Sequence, residues 1–96
     1  KKYPKSPLVP FSLHSEGVGY YVQKKHKLAI TSLNKLRKNH QSYAKMPEAL
    51  LTLSAALVET KKTREAKEIL SYIIEKTPSS DAALTAKERL KELSKK

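Results

Sequence analysis

The sequence predicts an all-α fold in which two helical hairpins and a closing helix stack as a right-handed solenoid. The main observation is a self-match at an offset of 37 residues, which aligns Pro10 with Pro47, Leu13 with Leu50, Ala29 with Ala66, and Leu33 with Leu70. Apolar residues also recur at helical spacing, and no stretch shows the alternation of a strand. A repeat period of this size is typical of stacked supersecondary units.

The first helix is predicted from about Pro7 to Gln23. Ser6 can cap the free amides at its start, and Pro7 suits the first helical position. Gly17 and Gly19 lie inside this helix, where each lowers helix stability by about 1 kcal/mol relative to alanine. Such glycines need a structural reason, so we expect another helix to approach closely there.

The second and third helices are predicted at about residues 26–39 and 43–60. Their apolar stripes are Leu28, Ala29, Leu33 and Leu36 in the second helix, and Met46, Ala49, Leu50, Leu53, Ala56 and Leu57 in the third. Lys24-Lys25 precedes the second helix, and the matching Lys61-Lys62 follows the third. We expect both pairs to form the tight turn inside a hairpin.

The fourth and fifth helices are predicted at about residues 63–76 and 80–93. Thr63 resembles an amino-terminal cap, and Glu65 suits the first turn of the fourth helix. Ser80 and Asp81 open the fifth helix in the same way. The far side of the fifth helix is charged, as expected of a helix that closes a stack.

The whole chain, residues 1–96, is predicted to be one domain with units at about 6–40 and 43–77 and a capping helix at 80–94. It has no cysteine, which excludes disulfides and thiolate chemistry. It has no apolar run near 18 residues, so no transmembrane segment is predicted. Because it opens with Lys1-Lys2, we expect it to be a piece of a longer protein.

The positive charge is concentrated in the first half of the chain. Residues 1–45 hold ten basic residues and one acid, Glu16, for a net charge of +9. Residues 46–96 hold ten basic residues and eight acids, for +2. A basic half favours an acidic protein, an anionic polymer or a lipid surface as partner. The alternative is a lysine-rich surface that serves solubility alone.

Neither catalytic residues nor a cofactor or metal site is predicted, so the chain is not expected to be an enzyme. His14, His26 and His40 are too far apart in sequence to form a helical ligand pair. Asp81, the sole aspartate, is assigned to a cap and not to a triad. The lysines lie mostly in turns and Tyr20 lies at a packing position, which argues against specific nucleic-acid binding.

The aligned repeats resemble tetratricopeptide units. The resemblance rests on small residues at Gly17 and Ser54, larger ones at Tyr20 and Leu57, alanines at Ala29 and Ala66, and joint prolines at Pro4 and Pro78. Tetratricopeptide units usually repeat about every 34 residues, whereas the offset here is 37 residues. We therefore expect a longer joint between the repeats. The resemblance implies a non-enzymatic protein-binding surface.

A narrower resemblance covers nearly the whole chain. The segments YPKSPLVPFSLHSEGVGYYVQKKHKLAITSLNKL, KMPEALLTLSAAL and TPSSDAALTAKERLKEL are similar to the carboxy-terminal domain of Tol-Pal-associated YbgF (CpoB) proteins. This resemblance implies a periplasmic scaffold that binds TolA and coordinates outer-membrane constriction with peptidoglycan synthesis in cell division. It also implies a coiled coil that precedes this domain and forms a homotrimer.

Two alternatives stay open. The same joints occur in outer-membrane assembly lipoproteins of the BamD type, so the chain can also be a fragment of such a protein. The repeats can instead serve self-association, with the groove filled by a neighbouring chain.

In a solenoid of helical hairpins, the first helix of each unit lines the concave face. The residues predicted to bind a peptide or helix there are Phe11, His14, Val18, Tyr21, Glu48, Leu51, Ala55, Val58, Glu59 and Glu88. Phe11, Tyr21 and Leu51 are the expected apolar anchors, with Glu48 and Glu59 as orienting charges. The alternative is that Phe11, Val18 and Leu51 are simply core residues.

Overall fold

A computed structural model describes residues 8–95, and every regular element in that range is an α-helix. The five helices are α1 (Leu8–Val22), α2 (His26–Asn39), α3 (Met46–Glu59), α4 (Thr63–Lys76) and α5 (Asp81–Ser94). The all-helical prediction is confirmed, whereas the predicted cap Ser6 lies outside the described residues. None of the helices in this range is both long and apolar enough to cross a membrane.

The helices pack in two layers. Each helix packs against the next one in the chain, and α1 also packs against α3, and α3 against α5. The backbones of α2 and α4 do not approach each other in the part of the chain that the structure describes. The odd-numbered helices therefore form one layer and α2 and α4 the other.

The same hydrogen bonds close the two tight turns. The Lys25 amide donates to the Tyr20 carbonyl at 2.8 Å and the Lys24 amide to the Tyr21 carbonyl at 2.9 Å. The bonds of Lys62 to Leu57 (2.8 Å) and Lys61 to Val58 (3.0 Å) repeat them 37 residues later. This pairing is the Schellman motif, which places its penultimate residue in the left-handed region. Lys24 and Lys61 accordingly have φ angles of 66° and 67°.

Replacing Lys24 or Lys61 with glycine is expected to stabilise the protein by up to about 1 kcal/mol. The left-handed conformation costs a residue with a side chain about 1–2 kcal/mol, and glycine removes this cost. Part of the gain is lost again, because glycine gives up more backbone entropy when the chain folds. Lys25 and Lys62 are matched controls, because their φ angles of −93° and −105° are ordinary. The urea midpoint should rise for glycine at Lys24 or Lys61 and fall for glycine at Lys25 or Lys62. A lower midpoint for Lys24→Gly would contradict the left-handed conformation of this residue.

The core lies between the two layers. Its most deeply buried large side chains are Leu33, Leu36, Leu53, Leu70 and Ile73. Ala29 and Ala66 are fully buried at equivalent positions of the two hairpins, where a small side chain lets the helices approach. α5 adds a face of three buried alanines, Ala82, Ala83 and Ala86, and so covers the end of the core.

Two of the predicted helix starts need correction. Thr63 is the first residue of α4 and not its cap; Lys62 occupies the cap position without a side-chain hydrogen bond, because the Schellman turn places it there. Tyr43 lies in a turn, and α3 begins only at Met46, with Pro47 in its first turn. By contrast, Ser80 caps α5 as predicted, since its Oγ accepts from the Ala83 amide at 3.0 Å.

The two glycines of α1 differ in their surroundings. A Cβ atom built on Gly17 would overlap Leu33 of α2, lying 3.0 Å from its Cδ1 and closer still to its Cγ. The expected close approach is therefore confirmed at Gly17. At Gly19 a Cβ atom would meet nothing within 4 Å, so the same expectation is wrong there.

Candidate partner-binding face

The predicted site residues lie on α1, α3 and α5, the helices of one layer, and none of them is fully buried. Phe11, Val18, Glu48, Glu59 and Glu88 are exposed, and His14, Tyr21, Leu51, Ala55 and Val58 are partly buried. Phe11 and Val18 expose 57% and 36% of their surface, so the alternative that assigns them to the core is wrong. Leu51 and Val58 pack against the core, so any role in binding is combined with a structural one.

A cavity of about 260 Å³ brings four of the predicted residues together. Its lining consists of Tyr21, Ser54, Ala55, Val58, Glu59, Leu70, Arg89, Glu92 and Leu93. The volume is below the usual range of small-molecule sites, which starts near about 300 Å³. The mixture of an aromatic ring, aliphatic groups, two carboxylates and the Arg89 guanidinium is suited to receiving a single side chain.

Two features of this face were missed in the sequence. Arg89 reaches across from α5, and its Nη1 donates to the Leu51 carbonyl at 3.3 Å. Helical periodicity placed Arg89 on the charged outer side of α5, and it gives no measure of how far a long side chain reaches. Val22 is 70% exposed. Val22 lies one helical turn after Val18, and this spacing could have indicated that the two side chains share a face of α1.

His14 links α1 to the segment that precedes α3. Its Nδ1 lies 2.8 Å from the Tyr43 hydroxyl, and the two rings meet edge to face with centroids 5.5 Å apart. Burial lowers the pKa of His14, an effect that Glu48 opposes and Lys45 reinforces. Burial also raises the pKa of Tyr43, and Glu48 adds to that rise. The neutral forms of both side chains are thus favoured in the folded protein.

The pKa of His14 predicts a loss of stability in mild acid. The folded-state pKa lies below the ordinary value of 6.5, so the unfolded chain takes up the proton first as the pH falls. The stabilisation is complete above about pH 6.5 and is lost progressively below it. Urea midpoints measured from about pH 8 to pH 5 should fall less steeply for His14→Gln than for the wild type. Parallel curves would contradict this assignment, because His26 and His40 are present in both proteins.

The described residues and the comparisons with known proteins give no further indication of chemistry. Within residues 8–95, no three His, Asp or Glu side chains come together as a metal site would require. No protein-family model and no curated protein matches the chain.

Proposed function

We propose that this chain is a non-enzymatic protein–protein interaction scaffold that binds a peptide or helix along the open face of α1, α3 and α5. The observation that carries the proposal is the pair of exposed apolar side chains, Phe11 and Val18, on the same face as the cavity lined by Tyr21. Exposed apolar groups edged by polar ones mark recognition sites in soluble proteins.

We further propose that the helices form a right-handed solenoid of tetratricopeptide type. Three findings support it: two hairpins of nearly the same length, hydrogen bonds that recur after 37 residues, and, within residues 8–95, contacts between alternate helices in one layer only. In such a stack the first helix of each unit lines a shared surface. α1, α3 and α5 hold that position here.

We place this scaffold in the bacterial periplasm, as a domain of a Tol-Pal-associated protein that acts in cell division. The support is the resemblance of its joints, of Pro47-Glu48-Ala49-Leu50 and of the closing Ala86-x-x-Arg89-Leu90. On this proposal TolA is the partner, and a preceding coiled coil assembles the full protein into a homo-oligomer. Arg89 of the closing motif has a structural contact that fits the proposal, since it joins α5 to α3.

The test is binding kinetics against TolA with variants of the open face. Phe11→Ser and Val18→Ser should each weaken binding by more than about 1 kcal/mol, mainly through faster dissociation, because apolar anchors hold the complex once it has formed. Tyr72→Ser on α4 is the matched control, since Tyr72 is 47% exposed on the other layer. It should bind as the wild type does.

Three outcomes would replace the proposal. If Phe11→Ser and Val18→Ser bind normally, the open face is not the site. If only reversal of Lys35 and Lys38 slows association, the partner is held by an electrostatic surface on α2. If the wild type forms concentration-dependent oligomers in sedimentation and Phe11→Ser does not, the face serves self-association.

A further inference from the structure

The two tight turns lie at the same end of the molecule. Tyr21 at the end of α1, Glu59 at the end of α3 and Leu93 at the end of α5 line one cavity. The carboxyl ends of these three helices are therefore neighbours. The turns that follow α1 and α3 must therefore lie side by side. We refer to the exposed basic and apolar residues of these two segments as the turn end: Val22, Lys24, Lys25, Lys27, Leu28, Lys61, Lys62 and Arg64. Gln23, Glu59 and Glu65 are exposed in the same segments.

The turn end is strongly basic. It contains five lysines and one arginine, all exposed, and the same segments hold only two acids, Glu59 and Glu65. Two of the lysines, Lys24 and Lys61, occupy left-handed positions that favour glycine. Each turn thus has a lysine where glycine would be less strained. The helices on either side do not require a basic side chain at that position.

Exposed apolar side chains accompany the charges in the first turn. Val22 and Leu28 expose 70% and 48% of their surface. At the equivalent positions, 37 residues later, the second turn has Glu59 and Glu65. Since the second hairpin folds with glutamates there, folding does not demand apolar groups. Their exposure among lysines points to a partner that is both apolar and anionic.

The surroundings of the turn end favour a lipid bilayer over a peptide segment as its partner. Arg64 borders a cavity lined by residues of α4, and the five lysines line none of the four cavities described for residues 8–95. A peptide segment needs a groove, whereas a bilayer presents a broad surface of mobile headgroups to which separate lysines can adapt individually. We propose that the turn end is a peripheral docking surface for an anionic lipid bilayer, with Val22 and Leu28 at the headgroup level and the lysines on lipid phosphates.

Vesicle flotation tests this proposal. The wild type should float with vesicles of phosphatidylcholine and phosphatidylglycerol but not with phosphatidylcholine alone, and added salt should release it. Lys24→Gln with Lys25→Gln should weaken binding about 10- to 30-fold, since each basic residue at an anionic surface contributes about a factor of five. Val22→Ser with Leu28→Ser should weaken it several-fold, because both side chains then lose their apolar contact with the bilayer.

A control of equal charge separates a specific surface from net charge. Lys35→Gln with Lys38→Gln also removes two exposed lysines, from the other end of α2. Lys38 lies about 16 Å along the helix from Lys27, beyond the screening length of about 8 Å at physiological salt. The control should therefore bind vesicles almost as the wild type does, and circular dichroism should show all three double variants to be folded.

Four results would overturn the proposal. The first is no flotation with anionic vesicles at low salt, and the second is equal flotation with neutral vesicles. The third is an equal loss of vesicle binding for the two lysine double variants. The fourth is that Val22→Ser with Leu28→Ser binds vesicles as the wild type does while polyglutamate competes with the vesicles. The last result would assign the turn end to an acidic protein. None of them bears on the proposed binding role of the open face of α1, α3 and α5, which is decided by Phe11→Ser and Val18→Ser, two variants that the vesicle experiment does not use.

Discussion

Gly17→Ala is expected to destabilise the protein by about 3 kcal/mol, at the upper end of the range for overpacked cores. The added methyl group would overlap Cγ and both Cδ atoms of Leu33. Because Cγ is the branch point of the side chain, rotation of a terminal methyl group does not relieve the clash. Leu33 is itself only 1% exposed, so it cannot relieve the clash by turning into solvent. The measurement is the urea midpoint of the purified variant.

Gly19→Ala is the matched control on the same helix. Its methyl group meets nothing within 4 Å, so the gain in helix propensity, about 1 kcal/mol, should appear in full. A double-mutant cycle identifies the cause at Gly17. Leu33→Ala removes all three overlapped atoms, so Gly17→Ala should cost far less in that background than in the wild type. Additive effects would show that the clash with Leu33 is not responsible.

Leu53→Ala is expected to destabilise the protein by about 3–5 kcal/mol. Leu53 is fully buried in α3, which packs against each of the other four helices of residues 8–95. Truncation removes the transfer free energy of the side chain and leaves a cavity between both layers. This loss is comparable with the whole stability of a small domain, so the variant should unfold at a much lower temperature than the wild type.

Leu84→Ala, on α5, is the control for this prediction. Leu84 is 58% exposed, so the same chemical change there should alter stability by no more than about 0.5 kcal/mol. Thermal denaturation followed by circular dichroism compares the two variants. Similar losses for both would mean that Leu53 is not at the centre of the packing.

The elements could be predicted because local signals and the repeat agree. The tight turns at Lys24-Lys25 and Lys61-Lys62 are 37 residues apart, which is the repeat interval. The apolar stripes of the flanking helices end at equivalent positions in the two repeats. The start of α3 was harder to locate. Tyr43 is apolar and adjacent to the helix, but the Tyr43 amide donates to the His40 carbonyl in a turn. Nothing in the apolar pattern separates such a turn residue from a helical one.

The candidate site was only partly predictable, since burial in α1 depends on which neighbours are present. The described part of α1 is apolar on several sides: Leu13 packs against the core, whereas Phe11, Val18 and Val22 are exposed. A helix of this kind gives a weak periodic signal, so the sequence left two alternatives for Phe11 and Val18. The positions of α2 and α3 against α1 decide between them.

The order of helix packing has a consequence for how this chain folds. In the part of the chain that the structure describes, the helices that pack together are adjacent or next but one in sequence, so each contact closes a short loop. Chains dominated by such local contacts fold in milliseconds or less. The backbones of α4 and α5 do not approach α1 within residues 8–95, so loss of α1 leaves their own packing intact. Opening should therefore begin at α1, whereas α3, which contacts the other four helices of the described range, should be the last helix to exchange its amide hydrogens.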